Sequence, residues 1–424
     1  MKREHTGDYE ITAVAGEQVK AFIPSPLPPV PGIDISPELQ QSHDQALIAV
    51  GELNSLTSLL PDYSLLLYSY VRKEAVLSSR IEGTQSSLSD LLVSEMDGIP
   101  GVPLEDVTEV SNYVAAMQYG LDKIREGLPL SLRLIREMHE VLLRKGRGEG
   151  KNPGEFRTSQ NWIGGTRPGN AVFVPPPPHR VMECMGKLEL FIHDPAHPLP
   201  VLIKAALVHV QFETIHPFLD GNGRLGRLLI TLMLCDSGIL KAPILYLSLF
   251  FKVHRQEYYR LLSDVRSTGD WEAWLSYFLE AVTLTSRQAV TTARQIARQI
   301  SDDRKIIEQT GRSSATTLLI FECFTRKLIA DSKYIVAETG LSPATVNSGL
   351  ARLQELYIVS EITGKKRDKI YSYARCMEVL NQELDYDTDS FSGKRYGKCS
   401  YLICEKGELL LAMIKDSIEK NTRH

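Results

Sequence analysis

Apolar positions along the 424-residue chain recur mostly at helical spacing. The first such run begins near Glu38 and carries Ala46, Leu47, Val50, Leu53 and Leu56. A second, over residues 63–82, carries Leu66, Tyr70, Val71, Leu77 and Ile81, and Gly83 supplies its stop. Helical periods return over 107–123, 131–144, 202–213, 224–236, 258–265 and 271–300. Two stretches break the pattern. Prolines crowd the segment from Pro24 to Pro31, which excludes helix and central strand and predicts an extended arm. Residues 161–165 and 171–174 flank a turn-rich 166–170, and this reads as a β-hairpin closed by Pro175 to Pro178.

The last third changes style. Residues 332–339 form a short predicted helix, and Gly340-Leu341-Ser342-Pro343 is a turn that caps a second helix over 344–356. Two predicted strands follow, 358–362 and 369–373, joined by a turn that carries Lys365, Lys366 and Arg367. Helix, turn, helix and a basic-tipped hairpin make the order of a winged helix-turn-helix.

Composition narrows the class. With 48 Lys+Arg against 52 Asp+Glu the net charge is −4, and 43% of residues are hydrophobic. These are ordinary globular values, which exclude a disordered, collagenous or uniformly basic chain. The start of the sequence has no apolar signal region, and no apolar run reaches the ~20 residues of a membrane span. Six cysteines are scattered, and only Cys399 and Cys404 lie close together. The expectation is a reduced, cytoplasmic protein without membrane contact.

The chemistry concentrates in His216-Pro217-Phe218-Leu219-Asp220-Gly221-Asn222-Gly223-Arg224-Leu225-Gly226-Arg227. This is a loop opening onto a helix that is apolar on most sides. Gly221 and Gly223 permit close ligand approach, and the helix N-terminus offers unpaired N–H groups to an anion. Arg224 and Arg227 project from the first turn and can clamp a polyphosphate. Asp220 can hold Mg²⁺, and His216 can accept a proton near neutrality. These are the parts of a phosphoryl or nucleotidyl transfer site. Gly221-x-Gly223-x-x-Gly226 also matches a dinucleotide-binding pattern, but a helix precedes it where a strand is required. His209, Glu213 and His216 could bind zinc, yet no HExxH pattern is present and Pro217 ends the helix.

The same twelve residues match the signature of Fic-domain proteins, His-Pro-Phe-x-Asp-Gly-Asn-Gly-Arg-x-x-Arg, and the chain resembles that family over roughly residues 38–376. Most members transfer AMP from ATP to a protein hydroxyl. The resemblance implies that His216 is the base and that Phe218 anchors the loop. It implies that Asp220 binds Mg²⁺, that Gly221, Asn222 and Gly223 form the anion hole, and that Arg224 and Arg227 hold the β- and γ-phosphates. It makes Asn161, Trp162, Ile163 and Gly164 part of a flap that holds the target as an added strand. Tyr258 falls where relatives place an aromatic against the adenosine, and Arg266 stands where some carry an adenine-contacting Asn.

Ser78-Ser79-Arg80-Ile81-Glu82-Gly83 resembles the family's inhibitory motif. Ser78 and Glu82, four apart, share a helical face, and Glu82 is expected to pair with Arg227 where the γ-phosphate belongs. The expected architecture is therefore mainly α. It comprises a proline-rich arm (1–37), a helical region with the inhibitory helix (38–100), a Fic catalytic domain with its flap (101–300), a winged helix-turn-helix (301–376) and an extension (377–424). The expected function is an autoinhibited adenylyltransferase acting on Tyr, Thr or Ser of target proteins and of itself. The alternatives are a nucleotide-sensing DNA-binding regulator and an enzyme that removes AMP. Residues 311–376 hold ten Lys+Arg and six Asp+Glu, a local net of +4 that favours DNA. A homodimer is expected from the family.

Overall fold

The computed structural model describes residues 2–14, 16–59, 63–96, 102–196, 198–311 and 314–382. The chain opens on an antiparallel pair, β1 (Gly7–Val14) and β2 (Glu17–Pro24), with Gly7 opposite Pro24 and Val14 opposite Glu17. The expected arm over 1–37 thus contains a β-hairpin. Its signal is the period-two burial of Val19 and Ala21 around exposed Lys20, which the neighbouring prolines overshadowed.

Five helices follow: α1 (Pro37–Leu59), α2 (Ser64–Ile81), α3 (Leu88–Glu95), α4 (Leu104–Arg125) and α5 (Leu132–Leu142). The short α3 escaped the periodicity, but its start is written chemically. Ser87 and Asp90 form a capping box across its first turn. The hairpin expected at 161–174 is a looser object. It is a loop closed by one antiparallel bridge, Ile163 to Phe173, around a 3₁₀ turn at Pro168–Asn170. The last of its closing prolines begins a further helix, α6 (Pro178–His193). Proline lacks the N–H that the first turn of a helix leaves unpaired, so it starts helices as readily as it stops them.

Two helices form the centre, α7 (Val201–Ile215) and α8 (Asn222–Asp236). Their apolar residues lie on every side, and nearly every side chain is buried. Around them pack α9 (Ser248–Val253), α10 (Arg255–Thr268) and the long α11 (Trp271–Glu308). The expected domain limit at 300/301 falls inside α11, which continues through it.

Beyond it come α12 (Ser314–Arg326), β3 (Ile329–Asp331), α13 (Ser332–Thr339), α14 (Pro343–Glu355), β4 (Val359–Glu361), β5 (Ile370–Tyr373) and α15 (Ala374–Gln382). The three strands pair antiparallel in the order β3-β5-β4. Asp331 and Ser342 cap α13 and α14 through their side chains, and Gly340 between them is left-handed. The amphipathic stretch read at 405–418 lies outside the described residues. No helix among the described residues is long and apolar enough to cross a membrane.

Candidate active site

The site is built on the turn between α7 and α8. His216 ends α7 in a left-handed conformation (φ 49°), which costs a residue with a side chain about 1–3 kcal/mol. Buried Arg157 holds it there. Its Nε donates to His216 O (2.9 Å), its Nη2 donates to Pro176 O (2.5 Å), and its backbone N–H donates to Pro217 O (2.9 Å). The next residues form a closed ring. Phe218 N–H donates to Asn222 Oδ1 (2.9 Å) and Asn222 Nδ2 donates back to Phe218 O (2.9 Å). Asn222, expected to line an anion hole, therefore spends its amide on the loop, leaving its backbone N–H at the start of α8.

Phe218 is fully buried and stacks on His139, with ring centroids 3.7 Å apart. The His139 tautomer follows from its partners. Gly154 N–H donates to Nδ1 (2.9 Å), so Nε2 carries the hydrogen and donates to Asp220 O (3.0 Å). His139 thus fixes the backbone that presents Asp220, whose carboxylate remains 41% exposed. Sequence reasoning missed His139 and Arg157 because each lies tens of residues from the motif it supports.

The two arginines have different partners. Arg224 is buried, and its Nη1 donates to Glu109 Oε2 (3.1 Å) on α4. Glu109 also accepts from Arg147 Nε (2.7 Å), and Arg147 pairs with Asp106 (2.9 Å). Among the described residues, Arg224 Nε is buried without a hydrogen-bond partner. Arg227 is bound by α2. Its Nε donates to Ser78 Oγ (2.9 Å), and its Nη2 donates to Ser78 O (2.9 Å) and to Glu82 Oε1 (2.7 Å). A Cβ on Gly223 would collide with Glu82 Oε1. The carboxylate thus lies against the first turn of α8, where backbone N–H groups and the helix dipole favour an anion. Ser78 and Glu82 meet Arg227 together, as their spacing implied.

Burial sets the protonation of the acid–base groups. It depresses the His216 pKa to about 3, helped by the charges of Arg266 and Arg157, so the imidazole is neutral. Burial raises Glu213, one turn earlier, to about 7 against the pull of Arg227.

The aromatic expectation is corrected. Tyr258 is 1% exposed, its hydroxyl lies 2.8 Å from His209 Nε2, and its ring sits 4.9 Å from Phe251 and 6.0 Å from Trp274. It belongs to the core, because α10 turns that residue inward onto α7 and α11. Its neighbour Tyr259 is 42% exposed, and burial of the hydroxyl end and the Glu82 charge raise its pKa. Its ring packs beside Tyr258 (5.2 Å) and under the Arg255 guanidinium (5.6 Å). In the flap, Asn161 Nδ2 donates to Phe218 O (3.0 Å), Trp162 is 37% exposed, and Gly164 is exposed in a left-handed turn. Arg266 lies 4.2 Å over the Phe173 ring and donates to Thr214 Oγ1 (3.2 Å).

A histidine at a strained helix end, a helix N-terminus occupied by a carboxylate and two buried arginines thus meet at one end of α8. Residues 40–122 match the family model for the Fic/DOC family N-terminal region, and residues 129–234 match the Fic/DOC family model. It is 27% identical over 224 residues to the protein adenylyltransferase Fic of Drosophila grimshawi, covering 52% of this chain and 43% of that protein. To the protein adenylyltransferase Fic of Aedes aegypti it is 30% identical over 213 residues, covering 48% of this chain and 39% of the relative. The chain therefore spans less than half the length of either. A Fic family protein of Desulfovibrio desulfuricans superposes with a TM-score of 0.54 at 21% identity, over 80% of this chain and 97% of that one. A Fic domain protein of Bacteroides thetaiotaomicron gives 0.50 at 21%, over 59% of this chain and 97% of that one. These two establish the shared fold.

Proposed function

We propose that the protein is an autoinhibited adenylyltransferase that moves AMP from ATP to a Tyr, Thr or Ser hydroxyl of a target protein or of itself. The observation that carries the reading is the Glu82 carboxylate on Arg227 and the α8 N-terminus. A cradle that attracts a carboxylate so strongly is one that suits phosphate.

The hydroxyl oxygen attacks the α-phosphorus, His216 takes its proton, and the bond to the β-phosphate oxygen breaks to release pyrophosphate. A neutral imidazole is the form that can accept that proton. Arg224, with its unpartnered Nε, and Arg227, once Glu82 leaves, hold the charge that develops on the leaving group. Trp162 and Gly164, which flank the Ile163–Phe173 bridge, offer their backbone to an incoming strand. Asp220 suits Mg²⁺, which takes one or two carboxylates with phosphate oxygens. Its carboxylate is partly exposed beside the phosphate cradle, and the ion would there neutralise phosphate charge.

The test is transfer from ATP labelled at the α- or the γ-phosphate, using wild type, Glu82→Gly and His216→Ala. Stable protein label from α- but not γ-labelled ATP, strongest in Glu82→Gly and absent in His216→Ala, supports the reading. Label from the γ-position, or none in Glu82→Gly, rejects it. In the second case, release of AMP from pre-modified protein is the alternative to assay.

The C-terminal elements favour a second role beside the first, a winged helix on DNA. Asn347 and Ser348 are exposed on α14, and the β4–β5 turn exposes Lys366 and Arg367. A mobility shift of random duplex that weakens with salt supports this, and no shift at low salt rejects it. A cytoplasmic homodimer completes the proposal, and sedimentation of the full chain measures its oligomeric state.

A further inference from the structure

Within itself the flap has little support beyond the Asn170 side chain, which accepts from Thr166 and Arg167 N–H (3.0 Å each) at its tip, and Gln160, which donates to Pro175 O (2.9 Å) at its base. One bridge, with Ile163 N–H donating to Phe173 O (2.8 Å) and Val172 N–H donating to Ile163 O (2.9 Å), joins its two arms. An isolated two-stranded pair of even ordinary length is marginal in water. Its outer arm, however, is paired again on the far side. Phe22 N–H of β2 donates to Val174 O (2.9 Å), so β1, β2 and the 172–174 arm lie side by side, ending at the Ile163 edge.

Side chains repeat the connection. Glu17 pairs with Arg167 and accepts from Gly169 N–H (2.7 Å), gripping the 3₁₀ turn at the flap tip. The Phe22 ring lies between Tyr9 (5.2 Å) and Phe173 (6.0 Å). The other end of the segment is fixed to the body. Arg3 is 5% exposed, and it donates to Gly269 O (2.6 Å) and pairs with Glu272 (2.8 Å). Thr6 Oγ1 donates to Arg266 O (2.7 Å), the residue whose guanidinium covers the Phe173 ring. Between these anchors the segment bridges a cavity of about 530 Å³ bounded by α7 and α10, so its hold on the body rests on few points.

The geometry points to the N-terminal hairpin as a positioning element of the flap, with Glu17 and Phe22 fixing the strand edge that receives the acceptor segment. Among the described residues, the hydrogen bonds of His216 O, Arg224 and Arg227 go to Arg157, Glu109, Ser78 and Glu82, and not to the hairpin. Its effect is therefore on acceptor placement and not on nucleotide affinity. This rests on the adenylyl-transfer reading for its functional half, while its structural half stands alone.

The experiment uses the full chain in the Glu82→Gly background with Glu17→Ala, Glu17→Gln and Phe22→Ala. Hydrogen exchange is followed at the amides of Ile163 and Phe173 and, as an internal control, within α7 and α8. ATP affinity and the rate of label transfer from α-labelled ATP onto the chain are measured on the same proteins. Expected are exchange at least about tenfold faster at the two flap amides in Glu17→Ala and Phe22→Ala, and unchanged α7 and α8. Label transfer falls by a similar factor while the Kd for ATP stays within twofold. Glu17→Gln, which keeps an acceptor for Gly169 N–H, lies between. Unchanged flap exchange in Glu17→Ala overturns the proposal, as does an equal rise in α7 and α8. Faster flap exchange with undiminished label transfer also overturns it. If no variant transfers label but flap exchange rises as expected, the adenylyl-transfer reading fails and the brace remains.

Discussion

The α7–α8 turn and the flap face each other across the same site, yet they are made rigid in opposite ways. The turn closes on itself first, and Arg157 and His139 then hold it from outside. Asn222 and Phe218 exchange two hydrogen bonds four residues apart, and Phe218 fills a buried space against His139. The flap borrows rigidity from elements more than ninety residues away, Glu17, Phe22 and Arg266. A self-closing loop leaves a contiguous sequence signature. A borrowed support leaves none.

The comparison breaks most visibly at His216. Alanine there removes the proton acceptor and is expected to lower kcat in the Glu82→Gly background by about 10²–10⁴-fold with ATP affinity unchanged. Equal kcat in steady-state label transfer would remove His216 from the chemistry. Phe218→Ala attacks the turn's support. An emptied buried ring site costs about 3–5 kcal/mol, expected as a large drop in the thermal midpoint. A flap substitution such as Val172→Ala, at an 81% exposed position, should leave the midpoint almost unmoved.

Tyr258 and Tyr259 sharpen the same contrast at smaller scale. Tyr258→Phe leaves buried His209 without its hydroxyl partner and is expected to cost about 1–3 kcal/mol of stability, with the KM for ATP unchanged. Tyr259→Ala should do the reverse, raising KM with little loss of stability. Thermal melts and kinetics on the pair decide it, and the same effect from both would return Tyr258 to the site.

The smallest expected effect is a missing one. The His216 pKa is depressed to about 3, so the base is already deprotonated at pH 6 in the free enzyme. Its kcat/KM should therefore show no acid limb from His216 near the ordinary histidine value of about 6.5. A loss of kcat/KM centred at pH 6.5 that disappears in a histidine-free site would contradict the burial argument.

What was legible follows the same division. The twelve residues from His216 to Arg227 and the Ser78–Glu82 pair were readable because each lies within one short window, the first a contiguous loop and helix start, the second one face of α2. Most long helices were readable for a similar local reason. His139, Arg157, Glu109 and the β1–β2 hairpin were not, because each acts across a tertiary contact that no short window contains. Tyr258 was placed at the nucleotide because two adjacent tyrosines look alike in sequence, while their helix turns one to the core and leaves the other exposed. The N-terminal strands were hidden by the prolines beside them, and the short α3 by its length.

The central claim is that the Glu82 carboxylate stands where ATP places phosphate on Arg227 and the α8 N-terminus. The most direct measurement is calorimetric titration of ATP into wild type and Glu82→Gly. Losing a charge-assisted contact of about 1.5–3 kcal/mol that competes for the same cradle should tighten ATP binding by roughly 10- to 100-fold in Glu82→Gly. Equal dissociation constants for the two proteins would contradict it.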